Sequence, residues 1–185
     1  KGNYILLKKK GKKQIAKKYS IAPSVLETKI KSWKRILIRE RQKRIRPRLD
    51  DKSLTSWNGL MLKGYIDAYI SFGHKNYLET ALKNANFIAN TQMNEDGRLW
   101  HSYKKGCSTI NAFLEDYAIL SAAFIRLYEA TFDEIWISRA EQLVSYSLEN
   151  FYDTNSGMFY FTSISDPKLV ARKMDINDTV IPSSN

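Results

Sequence analysis

Ser53-Leu54-Thr55-Ser56-Trp57-Asn58-Gly59-Leu60-Met61-Leu62-Lys63-Gly64-Tyr65-Ile66-Asp67-Ala68-Tyr69-Ile70-Ser71-Phe72 reads as a helix that is apolar over most of its circumference. Such a helix is expected to be covered on all sides. The segment after it, about residues 76–91, is different. Tyr77, Leu78, Ala81, Leu82, Ala85, Ile88 and Ala89 fall on one stripe opposite Glu79, Lys83, Asn86 and Asn90, the pattern of a half-exposed helix. The pair then repeats. Residues 112–130 are again apolar nearly throughout, and residues 133–151 return to one stripe carrying Ile135, Trp136, Ala140, Leu143, Val144 and Leu148.

The alternation of inner and outer helices has a period of roughly sixty residues, which sets Tyr77 against Trp136, Ala81 against Ala140 and Gly97 against Gly157. Each outer helix runs into a turn with aromatic flanks, at residues 94–100 and 153–161, and both turns are expected to be β-hairpins. The second has some features of a calcium loop but lacks its glycine and its terminal glutamate, with Ile164 in the latter place, and reads as a plain turn. Two-layer helical repeats of this kind close most economically into a ring. The fold expected is all-α, part of an α/α toroid of helical hairpins with short β-hairpins in the long loops. Inner-to-outer connections are short and outer-to-inner ones long, so the functional face is expected where the inner helices begin.

Ahead of the repeat the composition changes. Residues 1–48 hold 18 Lys and Arg against Glu27 and Glu40, a formal +16, whereas the other residues hold 12 against 17, or −5. Residues 1–49 are read as a basic helical lead-in that packs on the toroid, and residues 50–185 as two helical hairpins of a toroid truncated before the ring closes. The lead-in opens on the apolar run Tyr4-Ile5-Leu6-Leu7, and Pro23 starts a long helix that fades at Pro47. Residues 14–38 also scan as a helix-turn-helix, but the second helix offers few short polar side chains to read bases, so no specific nucleic-acid partner is expected. No apolar run is long enough for a membrane span. Cys107 is the single cysteine, and with His74 and His101 alone beside it no disulfide and no structural zinc site is expected. The chain starts at a lysine and is read as a cytoplasmic fragment with no cofactor and no metal.

Polar residues gather where the inner helices start. Asp50, Asp51 and Lys52 precede the first, with Trp57 and Asn58 a turn inside, and Glu115 and Asp116 open the third beside Tyr117. A further such place is approached by Arg172, Lys173 and Asp178. Carboxylates facing one another across a pocket, with aromatic rings beside them, suit acid/base chemistry on a sugar. The candidate catalytic residues are therefore Asp116, as general acid/base, and Asp51 as its partner. Candidate substrate contacts are Asp50, Trp57, Asn58, Glu115 and Tyr117. Acids are also favoured as caps at helix N-termini, so the same residues suit a structural role. If Asp116 were catalytic, Asp116→Asn is expected to remove function and leave the thermal midpoint unchanged or slightly raised.

The motifs Asp50-Asp51-Lys52 with Trp57-Asn58-Gly59-Leu60, Phe113-Leu114-Glu115-Asp116-Tyr117-Ala118, Leu127-Tyr128-Glu129-Ala130 and Ile181-Pro182-Ser183-Ser184-Asn185 resemble the spermatogenesis-associated protein 20 family and its bacterial relatives. The resemblance covers essentially the whole chain. It implies an interior piece of a C-terminal six-hairpin toroid similar to glycosidases and sugar 2-epimerases, joined in the family to an N-terminal thioredoxin-like domain. A carbohydrate ligand and that thioredoxin-like domain are the partners it implies. The acid/base histidines of the epimerases find no match, His74 falling in a short turn and His101 in a hairpin. A non-catalytic scaffold that serves the thioredoxin-like domain is the alternative function.

Overall fold

The computed structural model describes residues 9–167, 170–178 and 181–185. The apolar run at residues 4–7 lies outside them. The chain forms two compact units, Lys1–Asp50 and Asp51–Asn185.

The first unit contains α1 (Lys12–Lys18) and α2 (Pro23–Gln42). Pro23 opens α2, where its fixed φ suits the first turn and its missing N–H costs nothing. Ala16 and Leu26 are buried between the two helices.

The second unit begins with β1 (Ser53–Leu54), then α3 (Thr55–Phe72) and α4 (Lys75–Thr91), β2 (Trp100–Lys104) and β3 (Cys107–Asn111), α5 (Leu114–Thr131) and α6 (Glu134–Asn150), and ends in β4 (Tyr152–Asp153) and β5 (Met158–Phe159). α3 packs on α4 and on α5, and α5 packs on α6. α3 and α5 are thus the inner helices of adjacent hairpins, as the sequence pattern predicts. The repeat extends to the backbone. Gly73 and Phe132 end the two inner helices with φ of 71° and 57°, each returning its N–H to the carbonyl four residues back, Tyr69 and Tyr128. The inner helices approach closely at Gly59, where a Cβ would stand 2.9 Å from Ile119 Cγ2. The core lies between the layers, around Leu62, Ile66, Leu120, Phe124 and Leu143.

Four sequence expectations change. The inner helices are not covered all round: Trp57, Leu60, Met61 and Phe72 of α3 and Ile125 of α5 are exposed, because in these hairpins each inner helix has neighbours on some of its sides alone. α3 starts two residues later than its apolar pattern, because Ser53 and Leu54 are drawn into strand pairing with Tyr103 and Ser102. The loop after α4 is more elaborate than a single hairpin. Met93 and Leu99 form a bridge around the Asn94–Gly97 turn, and a longer hairpin, β2–β3, follows, giving an antiparallel sheet in the order β1-β2-β3. The hairpin expected at residues 153–161 is present as β4–β5. No helix begins among the described residues near Arg172; its guanidinium instead donates to the carbonyls of Asn150 and Thr162 and lies 4.1 Å from the Tyr160 ring centroid.

Candidate functional site

The N-termini of α3 and α5 and the strand β2 meet at one side chain, that of Asp116. It sits at the third position of α5 and has no solvent exposure. Its Oδ1 accepts from the Ser56 N–H at 2.8 Å, and its Oδ2 accepts from the Phe113 N–H at 3.0 Å and lies 2.8 Å from His101 Nδ1. The first bond satisfies an amide of the first turn of α3 and the second an amide at the start of α5. One carboxylate thus caps both inner helices, where the positive ends of their dipoles favour it.

The sheet explains the third contact. β1 leads directly into α3, and its pairing with β2 brings His101 beside the first turn of α3. A second tie holds the same corner: Gln92 Nε2, at the end of α4, donates to Thr55 Oγ1 at 2.6 Å, and that hydroxyl donates to the Trp100 carbonyl. The His101 ring packs on Phe113, centroids 4.9 Å apart at 61°, and Phe113 stacks on Phe161 at 4.9 Å and 13°.

His101 is part-buried, its side chain 16% exposed. The hydrogen bond to Asp116 raises its pKa above the ordinary histidine value, against an opposing effect of burial. Glu115, next along α5, is also part-buried, and desolvation followed by repulsion from Asp116 raises its carboxyl pKa. His101, Glu115 and Asp116 offer ligand-type atoms that all lie within 4.8 Å of one another. With three donors already on Asp116, His101 Nε2 and the Glu115 carboxyl neither accept nor donate a hydrogen bond among the described residues. An imidazole oriented through Nδ1 by a carboxylate, with a bare Nε2, is an arrangement suited to proton transfer.

The other expected site residues are placed as follows. Asp51 is exposed and ion-paired with Lys104 at the far end of β2, which lowers its pKa. It does not cap α3, whose N-cap is Leu54, and no hydrogen bond or ion pair joins it to Asp116. Asp50 is the exposed last residue of the first unit. Trp57 is 62% exposed, one residue after Ser56. Asn58 folds back to donate to the Leu54 carbonyl at 2.8 Å. Tyr117 is buried, receives the Leu99 N–H on its hydroxyl at 2.8 Å and stacks on Tyr146 at 5.3 Å, and burial pushes its pKa up strongly. It is part of the hydrophobic core. His101 was not among the candidates read from the sequence. Fifteen residues and a hairpin separate it from Asp116, and the sole cue is its place in the aromatic flank Trp100-His101.

Stacked helical hairpins with buried inner-helix N-termini and decorated loops on one end place the second unit in the class of (α/α)6 toroids, of which it forms a part. Solved structures of that class match it: a cellobiose 2-epimerase from Bacillus thermoamylovorans, TM-score 0.56 at 16% identity over 60% of this chain and 32% of that one; a GH76 α-mannanase from Bacteroides thetaiotaomicron, TM-score 0.52 at 19% identity over 59% and 30%; and a D-mannose isomerase, TM-score 0.53 at 20% identity over 59% and 30%. No family model matches the chain. The resemblance read from the motifs is nonetheless shown by relatives. Over most of its length the chain has homologues named spermatogenesis-associated protein 20, the human protein at 29% identity over 181 residues (92% of this chain, 23% of that protein) and the rat protein at 31% over 160 residues (80% and 20%). The chain spans about a quarter of the length of these curated relatives or less.

Proposed function

We propose that the second unit contributes an acid/base centre acting on a carbohydrate, with His101 as the group that moves the proton, Asp116 as its positioning residue and Glu115 as the second acid. The contact between His101 Nδ1 and Asp116 Oδ2 carries this reading. The carboxylate holds the neutral imidazole with its proton on Nδ1, so that Nε2 is free to accept, and it stabilises the imidazolium that results. Relative to a catalytic Asp116, the reacting atom moves outward to the imidazole, because the carboxylate already holds three donors and has no solvent exposure. Glu115, kept protonated to higher pH than an ordinary glutamate, is suited to return a proton or to donate a hydrogen bond to a sugar oxygen. The exposed Trp57 ring offers an apolar face for a pyranose. Sugar epimerases, an isomerase and a glycosidase share the fold, which supports carbohydrate as the substrate class. The thioredoxin-like partner domain and a cytoplasmic location belong to the same proposal. No helix among the described residues is long and apolar enough to cross a membrane.

The test is proton exchange on reducing sugars. Incubation of the protein with glucose, mannose or cellobiose in D2O, followed by proton NMR, should show loss of the signal of the proton on carbon 2, or release of a new reducing end if the reaction is hydrolysis. His101→Gln should abolish it. Turnover that survives in His101→Gln would remove the imidazole from the reaction.

A further inference from the structure

The first unit carries a groove of about 590 Å³ between α1 and α2 that the proposed chemistry does not use. Its floor is a stripe of α2, Leu26, Ile30, Trp33 and Leu37, spaced four, three and four residues apart so that all share one face, joined by Ile15 of α1. α1 is too short to cover it. Seven helical residues span about 10 Å against about 30 Å for the twenty of α2. Leu26, under α1, is 3% exposed, whereas Trp33 and Leu37, farther along, are 52% and 49% exposed.

The rim is basic. Lys9, Lys10, Lys18 and Lys34 line the groove, and among the described residues no ion pair joins any of them to an acid. Glu27 and Glu40, the two acids among residues 1–48, are engaged elsewhere, with Lys12 at 2.5 Å and Lys43 at 2.8 Å.

We propose that this groove is a docking site for an amphipathic helix of a partner protein, with apolar anchors at i, i+3 or i+4 and i+7 and with Asp or Glu on its two edges. The apolar floor matches the anchors and the lysines match the acids, so both terms of recognition favour the same occupant. The part of the floor that α1 leaves open, from Ile30 to Leu37, accommodates about two helical turns, the span of anchors at i and i+7. A nucleic acid would use the lysines and leave the floor uncovered. A lipid surface would meet a concave groove where it needs an apolar face that protrudes.

The experiment uses the whole chain and a fluorescent peptide of about 15 residues with leucines at helical spacing and glutamates between them, at physiological salt. Three controls accompany it: a scrambled peptide of the same composition, phosphatidylserine vesicles and a DNA duplex. Binding should saturate at roughly micromolar concentration, at least tenfold more tightly than for the scrambled peptide, and Trp33→Ala should weaken it at least tenfold. Lys18→Glu with Lys34→Glu, both on the surface, should shift preference towards the same peptide with lysine in place of glutamate. If Trp33→Ala does not fold by circular dichroism, the charge variant decides alone. Equal binding of the scrambled peptide, insensitivity to the charge reversal, or binding confined to vesicles or duplex would overturn the proposal.

Discussion

Asp116 is the residue on which the local structure turns, because three donors converge on a carboxylate with no exposure. That geometry reverses the sequence-based expectation for Asp116→Asn. An amide retains one acceptor oxygen, and its NH2 must face a backbone N–H or the histidine, so at least one buried donor loses its partner. We expect Asp116→Asn to lower stability by about 2 to 4 kcal/mol, read by urea unfolding. An unchanged midpoint would mean that the caps on α3 and α5 contribute little. The pH dependence follows from the same contact. A histidine whose folded-state pKa is raised binds its proton more tightly folded than unfolded. The resulting stabilisation is complete below the ordinary histidine value of 6.5 and is lost as pH rises through the raised value. Glu115, raised from 4.5, gives a loss of the same sign over a lower window. Thermal midpoints across pH 5 to 9 should therefore fall more steeply above pH 6.5 in the wild type than in His101→Gln, and parallel curves would contradict the pairing.

The elements themselves were legible where a period of apolar residues set them. Four helices of the second unit lie within about two residues of the positions their stripes predict, and the turn glycines align with the repeat. The sheet that builds the site was not legible. Cys107–Asn111 has no apolar alternation, being held by pairing with β2, and nothing local in Ser53-Leu54 distinguishes a strand from a helix start. His101 was missed for the same reason, since its partner is defined by that pairing and not by spacing in the chain. Gly97 tests how tightly the loop is held to α6. Its φ is 84°, and a Cβ there would stand 2.7 Å from the Gln142 carbonyl oxygen, whereas Gly106, at the same φ, faces open space. Gly106→Ala should cost about 1 to 2 kcal/mol for the left-handed backbone. Gly97→Ala should cost clearly more in the same unfolding experiment, and equal losses would refute the close approach.

On the scale of the whole molecule, charge and apolar surface are divided unevenly. The +16 of residues 1–48 faces no comparable excess in the remainder, which is −5. The second unit exposes apolar side chains on both inner helices and on α6, where Val144 and Leu148 are 45% and 50% exposed. Apolar surface on this scale is associated with contacts to other protein. The isolated chain is expected to self-associate at tens of micromolar, measured by light scattering, and a monomer at such concentrations would show that these faces are tolerated in water. The α/α toroid class itself was legible as a whole-molecule property, because the inner and outer alternation survives even where individual boundaries shift. The candidate site was legible as a region, the inner-helix N-termini, whereas the proposed proton-transfer group, His101, was not.

In the proposed centre Asp116 holds His101 with a proton on Nδ1 and leaves Nε2 as the group that exchanges protons. Nitrogen-15 NMR of the imidazole across pH observes both nitrogens directly, without any assumption about the substrate. A neutral ring protonated at Nδ1, with Nε2 gaining its proton at a midpoint above 6.5 and that midpoint falling in Asp116→Asn, is the predicted result. A ring protonated at Nε2 when neutral, or a midpoint at or below 6.5 that Asp116→Asn leaves unmoved, would contradict it.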